Sequence, residues 1–248
     1  METQSVSSFL VCLIEPLENL LMSLPNLNTM QSILSKNQKD LLTILAKQKL
    51  ITDNFYLTGG TALAEFYLHH RLSEDLDFFS ENEFEPQAIS SLFKKIQKTA
   101  GIEKVSYEQS FNRNLFFLEL KDDSIKTEFT YFPFPRIDLK QKLSNLSIDS
   151  LLDIAVNKVF TIYQKPRSRD FVDLYCILQM EKEWTIDSLV EKAQVKFDTF
   201  IDFLQLASQF VKVEGLKDYP TMIIDLDEKA WQSFFINEAK RISSKDVK

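Results

Sequence analysis

The stretch LTGGTALAEFYLHHRLSEDLDFF, residues 57–79, decides the fold of this chain. It holds two adjacent glycines in a sequence with only 4 glycines, and it ends in two aspartates separated by one leucine. The apolar residues before the glycines predict a short strand, and those after them recur at the period of a helix. The stretch therefore predicts a strand, a tight turn, a helix and a second strand at DLDFF.

The glycine pair, Gly59 and Gly60, has a clear use between a strand and a helix. Glycine lets the backbone turn tightly and approach a ligand closely. The free N–H groups at the start of the following helix favour an anion such as phosphate, and Thr61 can cap that helix or donate its hydroxyl to the anion. The alternative is a plain tight turn, because a glycine pair alone is a weak signal.

The aspartate pair, Asp75 and Asp77, belongs to the second predicted strand. Side chains i and i+2 of a strand point to one face, so both carboxylates share a face while Leu76 and Phe78 share the other. Two adjacent carboxylates repel each other unless a cation lies between them, and Mg²⁺ is often held by one or two carboxylates together with substrate phosphates. The alternative is an edge strand with a solvated acidic face, which the apolar residues that follow disfavour.

Strand and helix patterns continue to alternate after this stretch. Residues 86–101 predict a helix, and NLFFLEL (114–120) and IKTEFTYF (125–132) predict the two strands of a hairpin. After Pro135 no strand is predicted, and residues 186–210 predict one long helix. In the N-terminal part, SKNQ (35–38) predicts a capping box at the start of a helix.

These patterns predict an α+β fold, with a small mixed-sheet core between helical regions. They divide the chain into an N-terminal helical segment (1–50), an α/β core (51–135) and a C-terminal helical domain (136–248). The last of these is predicted from its four helical stretches alone.

Composition limits the class of protein. The formal net charge is -7, which argues against a broad nucleic-acid-binding surface. Residues 126–170 are nevertheless net positive, with 8 basic and 5 acidic residues, so a polyanion would meet the protein there. No apolar run approaches the roughly 20 residues of a membrane helix. The 2 cysteines lie far apart, which predicts no disulfide framework and a reducing, cytoplasmic location.

Two motifs carry a resemblance to a known family. A glycine pair, a helix and an Asp-hydrophobic-Asp strand are the signature of the DNA polymerase β-like nucleotidyltransferase superfamily, and the fuller pattern resembles its AbiEii/AbiGii toxin family. The positions that match are Arg71, Ser73, Asp75 and Asp77, followed by Lys158, Arg169, Asp170 and Asp173 in NKVFTIYQKPRSRDFVDLY. The spacer between Gly60 and Asp75 is about a residue longer than in the superfamily pattern, and a longer helix would absorb it.

The resemblance implies transfer of a nucleoside monophosphate from an NTP to a hydroxyl group, with pyrophosphate released. Asp75 and Asp77 would hold Mg²⁺ or Mn²⁺ in a two-metal arrangement, completed by a third carboxylate on a neighbouring strand. Glu128 and Glu119 are the candidates for this catalytic and metal-binding role. Glu128 is preferred because it lies mid-strand on the more polar face, and its alternative is a cross-strand ion pair with a lysine.

The same resemblance implies a nucleotide-binding set. It comprises Gly59, Gly60, Thr61, Arg71, Ser73, Lys158 and Arg169. Lys158 is expected to contact the NTP triphosphate, because it lies near the buried edge of its predicted helix and must meet an anion or extend its ammonium to solvent. Asp170, in the same motif, is expected either to act in the chemistry or to orient Lys158 and Arg169.

The implied acceptor is an RNA, such as a tRNA end, or a protein hydroxyl, and the implied partner is a cognate antitoxin of a toxin–antitoxin or abortive-infection system. Two other functions stay open. One is a catalytically silent module that binds a nucleotide or an antitoxin. The other is a transferase of the same fold that modifies a small molecule. Turnover, and its dependence on RNA, separate the three.

Overall fold

A mixed sheet of seven strands is the centre of the computed structural model, which describes residues 32–138 and 142–244. Its order is β3-β4-β5-β2-β1-β7-β6. The strands are β1 (Tyr56–Thr58), β2 (Leu76–Ser80), β3 (Ile102–Ser110), β4 (Arg113–Leu120), β5 (Ser124–Tyr131), β6 (Lys142–Leu143) and β7 (Leu146–Ile148). The predicted α+β class is confirmed.

Helices lie before, between and after these strands. In the described residues they are α1 (Lys36–Leu45), α2 (Lys49–Asn54), α3 (Gly59–Leu63), α4 (Pro86–Ile96), α5 (Leu151–Gln164), α6 (Ser168–Met180), α7 (Ile186–Phe197), α8 (Phe203–Val211) and α9 (Glu228–Ser243). A π-helical turn, Ala64–Leu68, continues α3, and a 3₁₀ turn, Lys212–Gly215, follows α8. No helix in the described ranges is long and apolar enough to cross a membrane.

The strand pairing places β2 between β1 and β5. β2 runs antiparallel to β1 and parallel to β5. β4 and β5 form the predicted antiparallel hairpin. The buried face of β2 is formed by Leu76, Phe78 and Ser80, so the prediction that Asp77 faces away from Leu76 and Phe78 is confirmed.

The apolar face of the sheet is built largely from phenylalanine. Phe78 and Phe129, on neighbouring strands, stack with ring centroids 4.9 Å apart. Phe93 of α4 packs against Phe116 of β4 at 5.3 Å. Aromatic pairs of this kind each stabilise the fold by about 0.5–1.5 kcal/mol beyond the contribution of the apolar surface that they bury. This packing holds β2 and β5 rigidly together beneath the opposite, polar face.

The N-terminal region begins, in its described part, with the predicted capping box. The Ser35 side chain accepts a hydrogen bond from the backbone N–H of Gln38, and the Gln38 side chain accepts one from the backbone N–H of Ser35. Residues 1–31 of the predicted N-terminal helical segment lie outside the described residues.

Three strands were absent from the predicted elements. β3 is an edge strand with a mostly exposed surface, so it lacks the apolar alternation that marks a half-buried strand. The prediction that no strand follows Pro135 is wrong, because β7 pairs in parallel with β1 and β6 pairs with β7. The sheet therefore extends to Ile148, and the division of the chain at residues 50 and 135 stays a prediction.

Two helices differ from their predicted lengths. The helix after the glycine pair ends at Leu68, where His69 adopts a left-handed backbone conformation (φ 50°), so the extra residue of the spacer is accommodated by a π turn and not by a further α-helical turn. A π turn contains one more residue than an α turn, and the bond from His69 N–H to the Ala64 carbonyl closes it. The predicted helix 186–210 is broken at Asp198, which is also left-handed (φ 44°).

Candidate functional site

A row of polar side chains crosses the polar face of the sheet. Asp77 of β2 is in register with Glu128 of β5 and with Thr58 of β1. Residues paired in register point to the same face of a sheet, so the side chains of all three lie on one face. Asp75 lies immediately before β2, and its negative charge acts on Asp77. Asp75, Asp77 and Glu128 are called the carboxylate cluster below.

Asp77 carries negative charge that its surroundings do not balance. No hydrogen bond or ion pair of its side chain is found within the described residues. Burial, followed by the negative charges of Glu128 and Asp75, raises the pKa of Asp77 to about 7, although Lys126 and Lys158 oppose this rise. A carboxylate in this setting is stabilised by any cation that reaches it.

Protein cations hold the other two members of the cluster. Lys126 Nζ lies 2.6 Å from Asp75 Oδ2, and both side chains are partly exposed. Arg113 binds both oxygens of Glu128, with Nε donating to Oε1 at 2.7 Å and Nη2 donating to Oε2. The hydroxyl of Thr130 donates to Glu128 Oε1 at 2.8 Å. The cross-strand ion pair anticipated for Glu128 is present, with an arginine in place of a lysine.

These pairs decide how well the cluster fits a divalent ion. Across the described parts of the chain, no group of three or more His, Cys, Asp and Glu side chains is arranged as a metal site. Asp75 and Asp77 still offer hard oxygen ligands of the kind Mg²⁺ and Mn²⁺ take, and Asp77 has no cation of its own. Glu128 does not fit as a ligand in this arrangement, because Arg113 occupies both of its oxygens.

The alternative third carboxylate, Glu119, lies elsewhere. It is paired in register with Ser124 at the far end of the hairpin, and its exposed side chain binds Lys104 at 2.7 Å. Glu128, and not Glu119, is the glutamate in line with Asp77.

The glycine pair is explained by two side chains that pack against it. Gly59 has φ +75°, which disfavours any residue with a Cβ, and a Cβ there would lie 2.3 Å from Asp77 Oδ2. A Cβ on Gly60 would lie 2.3 Å from Arg71 Nη2 and 3.1 Å from Ser73 Oγ. The close approach that requires glycine is therefore that of Asp77 to Gly59 and of Arg71 to Gly60.

Thr61 and Ser73 close the loop between the helix and β2. The Thr61 hydroxyl donates to the backbone carbonyl of Asp75 and lies 2.9 Å from Ser73 Oγ. Thr61 is fully buried. Both hydroxyl groups thus fix the backbone just before the aspartate pair.

Behind the glycine turn, a buried group of ions joins the turn to helices α5 and α6. Asp173 is its centre: it accepts from Arg71 Nε at 2.6 Å and Nη2 at 2.9 Å, and Lys158 Nζ lies 2.5 Å away. His70 Nε2 is 2.8 Å from the same carboxylate. Although burial opposes it, the charges of Lys158 and Arg71 hold the pKa of Asp173 well below its usual range.

Asp170 continues this group one helical turn earlier. It binds Lys158 Nζ at 2.8 Å and Arg167 Nε at 2.7 Å, and these charges lower its pKa against the effect of burial. The whole set is called the helical ion network and comprises His70, Arg71, Lys158, Arg167, Asp170 and Asp173. Lys158 was expected to contact the triphosphate, and in the structure its ammonium contacts Asp170 and Asp173. The contact with Asp170 agrees with one of the two roles expected for that residue, which is to orient Lys158.

Arg169 and Arg167 lie in different surroundings. Arg169 is exposed, and no ion pair of its side chain occurs in residues 32–138 or 142–244. Arg167, at the N-cap of α6, is the arginine that binds Asp170. The structure therefore brings Lys158 and Asp170 together and leaves Arg169 on the surface.

The polar row continues past Thr58 to a further carboxylate. Thr58 Oγ1 donates to Asp149 Oδ2 at 2.7 Å. Asp149 is fully buried, burial raises its pKa to about 7, and its Oδ1 atom has no hydrogen-bond partner in the described part of the chain. Asn157 and Tyr56 also carry buried oxygens without partners there.

Comparison with known proteins identifies the family. Residues 40–242 match the family model described as the nucleotidyl transferase AbiEii toxin of type IV toxin–antitoxin systems. The chain belongs to the AbiEii family. An uncharacterized protein of Aquifex aeolicus is 30% identical to it over 189 residues, which cover 75% of this chain and 85% of that protein. The crystal structure of JHP933 from Helicobacter pylori aligns with a TM-score of 0.52 at 20% identity, over 86% of this chain and 94% of that chain, which shows a shared fold.

Several charged residues around the AbiEii motifs were not among the predicted site residues. Arg113 and Lys126 contact the carboxylate cluster from β4 and β5. Lys126 lies two residues before Glu128, and this alternation along β5 is the signal in the sequence that marks it. Arg113 reaches Glu128 only through the pairing of β4 with β5. Asp149 had no such signal, because β7 was not predicted. His70 was assigned no role, and it lies fully buried against Asp173.

Proposed function

We propose that this AbiEii-family chain is a metal-dependent nucleotidyltransferase that transfers NMP from an NTP to a hydroxyl of an RNA, with a tRNA end as the favoured acceptor. Pyrophosphate is the second product. The proposal includes the family's setting, a cytoplasmic toxin controlled by a cognate antitoxin. A protein hydroxyl is the alternative acceptor.

One observation carries this proposal. Asp77 lies on β2, whose packing against β5 is fixed by a phenylalanine core, and Asp75 immediately precedes this strand. Burial and the carboxylates of Glu128 and Asp75 raise the pKa of Asp77 to about 7. The ionised form of Asp77 is disfavoured in this setting, and a bound cation would stabilise it. Mg²⁺ or Mn²⁺ bound by Asp75 and Asp77 would supply charge neutralisation at the transferring phosphoryl group.

The helical ion network supports binding of the NTP phosphates beside the glycine turn. Its two carboxylates face three cations, Arg71, Lys158 and Arg167, while burial lowers the pKa of His70 and favours the neutral imidazole. The network therefore has a net charge of +1 behind Gly59 and Gly60. We assign the triphosphate to this side of the site, where Thr61 and Ser73 fix the turn and Lys158 lies within electrostatic reach of Asp77. Arg169, exposed at the start of α6, is assigned to the outer phosphates.

In-line transfer then fixes the place of the acceptor. The attacking and leaving oxygens lie on opposite sides of the transferring phosphorus. With pyrophosphate leaving toward β1 and the glycine turn, the acceptor hydroxyl approaches from β5 and β4. Glu128 lies on that side, and it serves either as the third catalytic carboxylate or through its partner Arg113.

The test is incorporation of each α-labelled NTP into total RNA and total protein in the presence of Mg²⁺. Wild type is compared with Asp75→Ala plus Asp77→Ala, with chelated metal as a second control. We expect the label to appear in the RNA fraction, and we expect this incorporation to be lost in the double variant and when the metal is chelated. Label in protein would transfer the proposal to the other acceptor.

Absence of label in both fractions contradicts the proposed reaction. If NTP still binds, the silent nucleotide- or antitoxin-binding module is favoured, and label in small molecules alone favours the small-molecule transferase. Growth arrest on expression, relieved by the double substitution, tests the toxin setting separately.

A further inference from the structure

Both carboxylate oxygens of Glu128 accept hydrogen bonds from Arg113, which leaves the carboxylate poorly placed to bind a metal ion. Two guanidinium N–H groups and the Thr130 hydroxyl donate to its carboxylate. The Glu128 side chain is 7% exposed. A bidentate arginine–carboxylate pair is among the strong hydrogen-bonded pairs in proteins and fixes the orientation of the guanidinium.

Asp77 offers a contrast in the same row. It has neither a hydrogen bond nor an ion pair from any described side chain, so a cation can reach it without displacing a protein group. For Glu128 to bind a metal, Arg113 would have to leave and a largely buried carboxylate would lose its cation. The arrangement therefore assigns the metal to Asp75 and Asp77 and leaves Glu128 with the arginine.

Arg113 faces an open part of the sheet. Its side chain is 49% exposed, and no hydrogen bond of its Nη1 group is found among the described residues. Leu115 and Phe117, on the same face of β4, are partly exposed and do not belong to the hydrophobic core. This surface is ready for a ligand that combines negative charge with apolar area.

The hairpin tip beside Arg113 adds an aromatic ring. Phe111 is 96% exposed and has φ +55°, a conformation that a bulky side chain rarely adopts. An exposed aromatic two residues from an arginine suits an unstacked base next to its phosphate.

The strand order shows which phosphate Arg113 reaches. β4 and β1 are separated by β5 and β2, which is roughly 14 Å at the usual strand spacing. The glycine turn follows β1, so Arg113 lies on the opposite side of Asp77 from the proposed triphosphate. We propose that Glu128 is a positioning residue that fixes Arg113, and that Arg113 binds a backbone phosphate of the RNA acceptor. This inference rests on the proposed transferase function.

Binding of fluorescein-labelled bulk tRNA, followed by anisotropy without NTP, tests the phosphate contact. Arg113→Ala is expected to weaken binding roughly tenfold and to reduce the slope of log K against log salt by about 1. Glu128→Gln is expected to weaken it less, and the double variant no more than Arg113→Ala alone, because one residue acts through the other. Arg113→Lys keeps the charge but loses the fork, so an intermediate affinity is expected.

Mn²⁺ binding, measured by electron paramagnetic resonance of the free ion, tests the role of Glu128. Glu128→Gln is expected to leave the Kd for Mn²⁺ within about twofold, whereas Asp77→Asn is expected to raise it more than about tenfold, since Asp77 is a ligand in this assignment and Glu128 is not. Binding of a non-hydrolysable NTP to Arg113→Ala is expected to match wild type.

Lys104→Ala is the matched control, because Lys104 and Glu119 form an exposed cross-strand ion pair between β3 and β4. It removes one positive charge far from Asp77 and is expected to leave tRNA affinity within about twofold. Circular dichroism melting curves exclude misfolding of each variant.

Three results would overturn the inference. They are Mn²⁺ binding weakened tenfold by Glu128→Gln, NTP binding weakened by Arg113→Ala, and equal tRNA affinity of the Arg113 and Lys104 variants. None of these measurements requires turnover. Loss of tRNA binding in Arg113→Ala without any transfer activity in wild type would leave the Arg113 contact in place and contradict the proposed function instead.

Discussion

The carboxylate cluster and the helical ion network use the same carboxylate group in opposite electrostatic settings. In the network, Asp173 is surrounded by Arg71, Lys158 and His70, and its pKa is held well below its usual range. In the cluster, Asp77 has two carboxylate neighbours and no cation of its own, and its pKa is raised to about 7. Both aspartates face the glycine pair, one directly and one through Arg71.

The difference is one of net charge. The three carboxylates of the cluster face two cations, Lys126 and Arg113, which leaves -1 when Asp77 is ionised. The two carboxylates of the network face three cations, which leaves +1. The helical ion network, whose carboxylates are all paired with cations, lies behind the glycine turn. The carboxylate cluster, in which the charge of Asp77 is not balanced, lies on the open side. Removing a carboxylate from the network should therefore lower the free energy of unfolding, whereas removing the charge of Asp77 from the cluster should raise it.

The largest expected effect is that of Asp173→Ala. It leaves Arg71, Lys158 and a histidine buried without their shared carboxylate, and breaking a buried pair in this way costs about 3–5 kcal/mol of the free energy of unfolding. Urea denaturation followed by circular dichroism measures the loss. Arg169→Ala, an exposed change on the same helix, should stay within about 0.5 kcal/mol of wild type; equal effects would show that the network is not a closed structural unit.

Substitution of Asp149 tests whether the burial of this carboxylate lowers the stability of the fold. Its pKa is raised to about 7 in the folded protein, so between about pH 4 and 7 the folded state binds a proton that the unfolded state does not, and stability falls as pH rises. Asp149→Asn should remove this fall and raise the free energy of unfolding at pH 8 by about 2–4 kcal/mol.

The difference between Asp149→Asn and wild type should grow from pH 4 to pH 7 and then level off. Urea denaturation at pH 4.5, 6 and 8 provides the comparison. A constant difference across this range would show that the carboxylate is already charged and balanced in the folded protein.

Asp77→Asn should stabilise the metal-free protein while it removes function. Taking away the unbalanced charge is expected to raise the free energy of unfolding at pH 8 by on the order of 1–3 kcal/mol, less than for Asp149 because Asp77 is only partly buried. Thermal melting in EDTA measures the gain, and the labelled-NTP assay measures the loss. Destabilisation in EDTA would mean that Asp77 has a protein cation that holds it.

The smallest expected effect is that of Lys126→Met. The Lys126–Asp75 pair is about one-third exposed on each side, and such pairs contribute about 0–1 kcal/mol. Stability should therefore hardly change, while Mn²⁺ affinity should rise severalfold because an ammonium no longer competes for Asp75. Weaker Mn²⁺ binding would instead assign Lys126 a supporting role in the metal site.

Much of the cluster could be predicted from local pattern. The alternation in DLDFF and IKTEFTYF determines which residues share a face, and it placed Asp75, Asp77 and Glu128 together once the two strands were taken as neighbours. The parallel pairing that puts Asp77 beside Glu128 is a tertiary fact, but the family resemblance implied it.

The network could be predicted only in part, because its contacts join distant segments. Arg71 and Asp173 are about as far apart in sequence as the ends of a small domain, and nothing local marks them as partners. The sequence motif indicated Arg169 as the partner of Asp170, whereas Arg167 forms that ion pair. Which arginine faces Asp170 depends on the residue at which α6 begins. β7 is only 3 residues long, so its Leu-Ser-Ile alternation is too short to predict a strand. Asp149, which follows β7, was missed as well.

The π turn at Ala64–Leu68 bears on how relatives of this chain are recognised. One residue added inside a helix is retained as a local bulge, and the glycine turn and the aspartate strand on either side keep their positions. A one-residue difference in the interval between the two motifs can therefore be accommodated within the helix. Search patterns that demand a fixed interval would discard such chains, whereas patterns that allow one residue of slack would keep them.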